Sequence, residues 1–264
     1  MRTSTRTTTA PAIAAAGIAA IALALGLACT DAAAPSQPST YQGASAAMET
    51  GSGHTYVTVG PDGAPTELGI RITSTSLASL PAGMTMYEFP LPTDPAARLT
   101  PYDHVVINWN PAGHPPAPYQ VPHFDFHFYQ ITDAEQNAIA PADPQFNAKL
   151  ALDPAAAFVP PNYQHLPPGG VPYMGAHWVD VTAPELNGQP FAATFIYGSY
   201  NGDFVFVEPM VAKSYLESHA AVTSSIKQPA QYSAPGYYPT TYTVTYDAST
   251  NEHVISLGGF VHRG

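Results

Sequence analysis

The 264-residue sequence predicts one mostly β domain, built as an antiparallel β-barrel or sandwich with a few short helices. The chain contains 29 prolines, and proline interrupts helix interiors, which argues against a helical bundle or a coiled coil. It also contains 16 Tyr and 11 Phe, which favour strands, and 20 Gly, which favour turns. Hydrophobic residues make up 45% of the chain, which is enough for a sizeable core.

Short apolar runs bounded by turn residues predict the strands. Pro61-Asp62-Gly63 predicts the turn between the first two of them. Asn201-Gly202 predicts a type I′ hairpin, because that turn needs two residues that tolerate positive φ. In this hairpin Phe195 is expected to pair with Glu208. The expected strands are residues 54–59, 66–72, 84–91, 103–109, 122–131, 177–181, 191–200, 203–207, 240–246 and 253–257.

A few short helices are expected between these strands. Pro81 ends one of them, since proline cannot continue a helix. Thr132 followed by Glu135 is a capping-box pattern and predicts a helix N-terminus. The Pro-rich segment 141–172 is a long excursion, and connections of that length are usually functional or disordered. The expected helices are residues 74–80, 133–140, one turn near Asn147, and 210–221.

The N-terminus has the pattern of an export signal. Arg2 and Arg6 precede an apolar run over residues 10–27, so residues 1–28 are interpreted as a signal peptide. Small residues before Cys29 resemble a bacterial lipobox, and Cys29 is the only cysteine in the chain. Because one cysteine cannot form an internal disulfide, lipidation of Cys29 is the simplest interpretation. The alternative is an ordinary signal peptide whose cleavage leaves a free thiol.

Residues 29–53 are rich in Ala, Ser, Thr, Pro and Gly and are expected to form a flexible tether. The folded domain is then expected over residues 54–264. This organisation predicts an exported protein of the cell envelope, held at the membrane by the lipid on Cys29 or released as a periplasmic or extracellular protein.

The charge balance argues against nucleic acid as a partner. The chain has 8 Lys and Arg against 19 Asp and Glu, with a formal net charge of −11. A phosphate-binding face requires clustered cations, and this chain has few to cluster.

Polar and aromatic residues alternate with period two over residues 123–129. On a strand His123, Asp125 and His127 point to one face, and three phenylalanines point to the other. The Phe face is expected in the core, so the other face lines a pocket or meets solvent. His123 and His127 lie roughly 13 Å apart on a strand, which prevents them from sharing one metal ion. His123 with Asp125, or Asp125 with His127, remains a feasible ligand pair.

His177 is the candidate third ligand, because a His-x-Asp pair with a distant His is the pattern of an iron(II) facial triad. Its Pro/Gly-rich approach loosely resembles the second motif of cupins, although the first cupin motif is absent. Glu208 and His114 are candidate catalytic groups. A carboxylate on an aromatic face is costly unless it is paired, protonated or bound to metal, and the chain has few cations.

The metal ligands expected from the sequence are therefore His123, Asp125, His127 and His177. The cofactor would be a divalent metal, and zinc, iron and manganese all accept such nitrogen and oxygen ligands. Two other interpretations remain open: a purely structural polar network, and a metal-free ligand or catalytic pocket.

Several stretches together resemble an uncharacterised bacterial family of exported proteins, a domain of unknown function. Its signatures here are PHFDFHFY at residues 122–129 and GGVPxMGxHWVD at residues 169–180. Further matching stretches are residues 103–111, 113–114, 187–191, 208–210 and 235–239. The resemblance implies one family domain behind an export signal and no established reaction.

The sequence thus predicts a metal-binding protein with a His/carboxylate pocket, acting as a metal-dependent hydrolase or oxidoreductase on a small molecule. The alternative is a non-catalytic envelope or ligand-binding protein, alone or as a homo-oligomer, whose His/Asp face is a rigid polar network.

Overall fold

A computed structural model describes residues 37–95, 97–166 and 170–264. Within these ranges the chain forms two seven-stranded sheets and one two-stranded sheet, and the strand pairs are antiparallel. The strands are β1 (Ser39–Gln42), β2 (Ala46–Met48), β3 (Gly51–Val59), β4 (Pro65–Thr73), β5 (Thr85–Pro90), β6 (His104–Asn110), β7 (His123–Tyr129), β8 (Tyr163–His165), β9 (Ala176–Asp180), β10 (Ala193–Tyr200), β11 (Asp203–Ala212), β12 (Val222–Ser225), β13 (Gly236–Tyr238), β14 (Thr241–Asp247), β15 (Glu252–Gly258) and β16 (Val261–Arg263).

Short helices connect the strands. The α-helices described are α1 (Ser74–Ala78), α2 (Asp133–Ala138), α3 (Phe146–Leu150) and α4 (Lys213–Glu217). Single 3-10 turns lie at Ala97–Leu99, Ala117–Tyr119, Ala156–Phe158 and Pro184–Asn187. The capping box at α2 forms as the sequence predicts: Glu135 N–H donates to the Thr132 hydroxyl, and the Glu135 carboxylate accepts from Thr132 N–H at 2.9 Å.

The two large sheets pack as a sandwich, and neither closes into a barrel. The first sheet has the order β1-β3-β4-β15-β14-β12, with β2 also paired to β3. The second sheet has the order β5-β6-β7-β11-β10-β9-β8. The main core lies between them and is fully buried, with Val57 and Ile70 from the first sheet packed among Phe124, Phe126 and Phe128 from the second. The mostly β prediction is therefore confirmed, and the architecture is the sandwich.

Part of the expected tether is structured. β1 and β2 lie within residues 29–53, and Tyr41 of β1 pairs with Val57 of β3. A strand at a sheet edge is held by backbone hydrogen bonds, so it forms without the large apolar side chains that the sequence analysis sought. The signal peptide over residues 1–28, Cys29 and the start of the tether lie outside the described residues.

The helix expected over residues 210–221 is mostly a strand and a short helix. Met210, Val211 and Ala212 continue β11 and pair with Asp125, Phe124 and His123 of β7. Each of these β11 residues is buried, so tertiary packing on both faces outweighs the helical pattern. Only α4 remains helical, and residues 222–225 form β12.

A β-bulge changes the register expected for the 195–208 hairpin. Tyr200 pairs with Asp203 as expected, but the register shifts at Gly198/Ser199, so Phe195 pairs with Pro209 and Ile196 with Glu208. Phe206 then leaves the main core, which retains Phe195 and receives Phe204 against it. The bulge places Glu208 and Phe206 on the outer face of the second sheet.

In the part of the chain that is described, no helix combines the length and apolar character that a membrane crossing requires.

Candidate functional site

The candidate site lies on the outer face of the second sheet, away from the main core. β7 presents its three phenylalanines to the core, so His123, Asp125 and His127 point outward, as the alternation predicts. All three are buried, because loops and short helices cover this face of the sheet. The six candidate residues from the sequence come together here as two neighbouring groups of three.

The first group, called the His114 triad, contains His114, His123 and Asp125. His123 Nε2 lies 3.1 Å from Asp125 Oδ1, and His114 Nε2 lies 3.6 Å from Asp125 Oδ2. His114 comes from the loop after β6, where Gly113 has φ +66° and a Cβ would lie 2.2 Å from the Tyr119 carbonyl oxygen. Only glycine therefore allows this turn to bring His114 over the strand.

The second group, called the His177 triad, contains His127, His177 and Glu208. By the register of β7 and β11, Glu208 lies directly opposite His127, and their Oε2 and Nε2 atoms are 3.3 Å apart. His177 Nε2 lies 3.8 Å from the same carboxylate oxygen. His177 of β9 lies directly opposite Gly198 of β10. Gly198 has no Cβ and so leaves space for the Phe206 ring.

The imidazoles of the His114 triad are oriented by backbone carbonyls. The ring nitrogens His123 Nδ1 and His114 Nδ1 lie 2.7 Å from the Val121 oxygen and 2.9 Å from the Pro115 oxygen. A proton on each Nδ1 leaves the Nε2 lone pair directed at Asp125, which is how metal-binding histidines are commonly positioned. Asn110 Nδ2 also donates to Asp125 Oδ2 at 2.7 Å and fixes that carboxylate.

Several facing atoms of both triads are buried without a hydrogen-bond partner among the described residues. They are His123 Nε2, Asp125 Oδ1, His127 Nε2 and Glu208 Oε2. They approach within ion-pair distance but lack the alignment of a hydrogen bond. Buried polar atoms are normally satisfied, so four unpaired atoms this close to one another need an explanation.

In the His177 triad, His127 and Glu208 each change the protonation of the other. Burial raises the pKa of Glu208 above its ordinary value, against the opposing effect of His127. Burial opposes charge on His127 as well, but the Glu208 carboxylate raises the pKa of His127. Without a cation this pair therefore holds one proton. Burial and the charge of His127 lower the pKa of His177 to about 3, which keeps that imidazole neutral.

The His114 triad is more polarised. Burial opposes ionisation of Asp125, but His114 and His123 lower the pKa of Asp125 well below its ordinary value. Burial also opposes charge on His114, whereas Asp125 raises the pKa of His114 to about 9. Asp125 is therefore a carboxylate at neutral pH, with a proton held on the facing imidazole when no metal is present.

Apolar residues surround the two triads on the sheet. Tyr119, Val179, Ile196 and Met210 form one cluster, and Phe206 belongs to another on the same face. The side chains most open to solvent are His114, 37% exposed, and His177, 19% exposed, whereas the other four residues are at most 7% exposed. Each triad therefore has one histidine on the solvent side.

The grouping differs from the expected ligand set in two ways. His177 joins His127 and Glu208, whereas the sequence analysis combined it with the His-x-Asp pair. Glu208 and His114, the expected catalytic groups, each occupy the third position of a triad. The separation of His123 from His127 agrees with the strand geometry.

Two asparagines of β6 face the site and are not among the residues that the sequence predicted for it. Asn110 binds Asp125, and Asn108 lies directly opposite Asp125 with its Oδ1 buried and unpaired among the described residues. The local signal was weak, since the alternate positions from His104 to Asn110 are polar except for Val106. His104 itself lies outside both triads and bonds Gln136 through Nε2 at 2.7 Å.

A family model described as TTHB210-like, hypothetical protein TTHB210, matches residues 60–109. This match covers less than a quarter of the chain and agrees with an uncharacterised family. It includes Asn108 and none of the six triad residues. No curated protein and no solved structure matches the chain.

Proposed function

We propose that this protein binds divalent transition-metal ions, one in each triad, and that both centres keep open positions for water or a small ligand. The observation that supports this best is the close approach of the ligand atoms, at 3.1 and 3.6 Å in one triad and 3.3 and 3.8 Å in the other, with two atoms of each triad buried and unpaired among the described residues. Tetrahedral zinc with bonds of about 2.0–2.1 Å separates its ligand atoms by roughly 3.4 Å. The observed distances bracket that value.

The charges support the same proposal. Asp125 and Glu208 are buried, and in the described part of the chain no Lys or Arg forms an ion pair with either of them. A buried carboxylate requires a partner charge or a proton. A divalent ion in each triad supplies that charge to its carboxylate. The imidazoles then remain neutral, which is the form that coordinates metal.

The type of ligand limits which metal ions can bind. Each triad offers two imidazoles and one carboxylate, and no thiolate is present at either. Zinc, iron and manganese all accept this set, and two histidines with one carboxylate leave positions open in zinc enzymes and in iron(II) facial triads. A metal held in this way lowers the pKa of a bound water, so hydrolysis is the reaction class the site supports; oxidation would require iron or manganese.

The rival function is a non-catalytic protein whose His/carboxylate face is a structural network. The bonds from Asn110 to Asp125 and from His123 to the Val121 carbonyl are compatible with it. In that case protons, shared within each triad, take the place of the metal.

Metal stoichiometry separates the two functions. Protein without a histidine tag would be stripped with a chelator, reloaded with zinc, desalted and analysed by elemental mass spectrometry. We expect about two equivalents of zinc in the wild type, and about one in Asp125→Asn and in Glu208→Gln. Glu217→Gln, an exposed carboxylate on α4, is the control and should retain both. Zinc well below one equivalent in the wild type, with melting unchanged by chelation, would support the structural network.

We also propose that the protein is exported and held at the cell envelope by a lipid on Cys29. The support is the basic and apolar pattern of residues 1–28 followed by a lone cysteine. Cys29→Ala should move the protein from the membrane fraction to the soluble fraction of the cell. An unchanged distribution would contradict the lipid anchor.

A further inference from the structure

We propose that the two triads act as a pair and bind one small oxyanion, such as phosphate or a phosphate ester, across both metal ions. This inference rests on the proposed function, because it requires both triads to hold a metal. Three observations carry it, together with the charge that the loaded triads would have: the spacing of the triads, the buried Asn108 side chain beside them, and their solvent-facing sides.

The spacing follows from the strand. Asp125 of one triad and His127 of the other are alternate residues on the same face of β7. Alternate residues of a strand are roughly 6.6 Å apart, so the two centres are neighbours on the sheet. Metal–oxygen bonds of about 2.0–2.2 Å on either side, together with the width of a tetrahedral oxyanion, span a separation of this order.

The charge favours an anion. Each triad has one carboxylate and two neutral imidazoles, so a divalent ion leaves it with one excess positive charge. The nearby buried carboxylate of Glu185 accepts a hydrogen bond from Tyr119 at 3.0 Å, which directs it to that phenol. Two adjacent positive centres on a mostly apolar surface are costly unless an anion joins them, so a dianion that contacts both is the matching ligand.

Asn108 supplies a polar group between the apolar walls. It lies on β6 directly opposite Asp125, is 2% exposed, and its Oδ1 has no partner among the described residues. On the same face of β6, Val106 lies opposite His127 and Asn110 opposite His123. Asn108 is thus the middle member of a row running beside both triads. Its Nδ2 is a donor that a bound oxyanion would accept from, and its unpaired Oδ1 is an acceptor for a protonated oxygen of the same ligand. Asn108 is therefore a positioning residue for that ligand.

The solvent-facing members supply the access. His114 of one triad and His177 of the other are the most exposed of the six, so each centre is open on one side. A small anion can therefore approach both centres from solvent without a large movement of the sheet.

The test is calorimetric titration of inorganic phosphate into desalted, zinc-loaded protein whose metal content has been measured first. We expect wild type with two zinc ions to bind about one phosphate. Asp125→Asn and Glu208→Gln, each with one zinc, should bind phosphate at least about tenfold more weakly. Asn108→Leu should retain two zinc ions and still bind phosphate more weakly, and Glu217→Gln should behave as wild type.

The outcomes separate this inference from the proposed function. Two zinc ions with no phosphate binding, or equal phosphate affinity in the one-zinc variants, would overturn the paired site while leaving metal binding intact. Wild-type protein without zinc would overturn both. Phosphate affinity unchanged in Asn108→Leu would contradict a contact between that side chain and the ligand. A folding defect in this variant would be recognised separately, because it would lower the zinc content as well.

Discussion

Removing the contact between His127 and Glu208 should have different effects on the stability of the metal-free and the metal-loaded protein. Without metal, Glu208→Gln removes a buried carboxylate and lets His127 lose its proton, so the free energy of unfolding should change by no more than about 1 kcal/mol. With zinc in excess, the variant should lose roughly 2–3 kcal/mol of ligand-linked stability relative to wild type. Thermal melts with zinc and with chelator measure both quantities. Equal melting shifts in wild type and variant would contradict a metal at Glu208.

His253 gives a pH prediction away from the site. Burial and the charge of His219 lower the pKa of His253 from 6.5 to about 4. Between pH 6.5 and 4 the unfolded chain therefore binds more protons at this position than the folded chain does. The contribution of neutral His253 to the free energy of unfolding is fully present above pH 6.5. It falls by about 1–2 kcal/mol as the pH is lowered toward 4, after allowance for partial solvent screening.

His253→Gln should reduce this acid sensitivity. The measurement is urea unfolding of wild type and variant at pH 8, 6 and 4.5, with the pH 8 difference taken as the cost of lost packing. The difference in free energy of unfolding between them should shift in favour of the variant as the pH falls. A constant difference at all three pH values would show that His253 does not titrate in this range.

At the level of single residues, the sequence identified groups whose burial would be costly. Glu208 was singled out because few cations were available to pair it, and β7 because its polar residues alternate with phenylalanine. Asn108 was missed because an asparagine in a strand has no distinctive local pattern. Its importance depends on facing Asp125 across the strand pair, which is a property of register.

Among the elements, the bulge in the β10–β11 hairpin determines which face Glu208 occupies. A Cβ on Gly198 would lie 2.0 Å from the Phe206 ring, so Gly198→Ala forces the ring or the strand to move. We expect a loss of roughly 1–3 kcal/mol in stability and loss of zinc from the His177 triad, while the His114 triad keeps its zinc. Unfolding and zinc stoichiometry measure the two effects.

Gly83→Ala is the matched control, because a Cβ there meets nothing within 4 Å. It should retain the wild-type stability within about 0.5 kcal/mol and both zinc ions. If Gly198→Ala retained both zinc ions, the bulge would not be required to position Glu208.

The elements that the sequence predicted well are those with local signals. The Asn201-Gly202 turn, the capping box at Thr132 and the alternating strand β7 each depend on neighbouring residues. The elements it missed depend on distant ones. β1 forms by pairing with β3, and the end of β11 by pairing with β7, although neither has a clear strand pattern of its own.

For the whole molecule, the sequence predicted the fold class but could not choose between barrel and sandwich. That choice depends on whether the sheet edges meet, and alternating residues look the same in both cases. Nor could it show that the His-rich face of β7 is the outer one, covered by connecting segments that reach across the second sheet. Stability and the candidate site are therefore separated in space. The inner faces of the sheets form the core that stabilises the sandwich, and the covered outer face of the second sheet holds the two triads.

This separation predicts where metal binding should stiffen the molecule. His114 lies on the loop between β6 and β7, and His177 follows the turn that ends at Gly175, so each triad ties a surface segment to the rigid sheet. Zinc loading should slow backbone hydrogen exchange in residues 111–122 and 170–177, because opening of these segments then requires release of the ion. Exchange in β14 and β15, on the other sheet, should change little. Asp125→Asn should keep the slowing at 170–177 and lose it at 111–122, and uniform slowing in every strand would instead indicate global stabilisation without local anchoring at the triads.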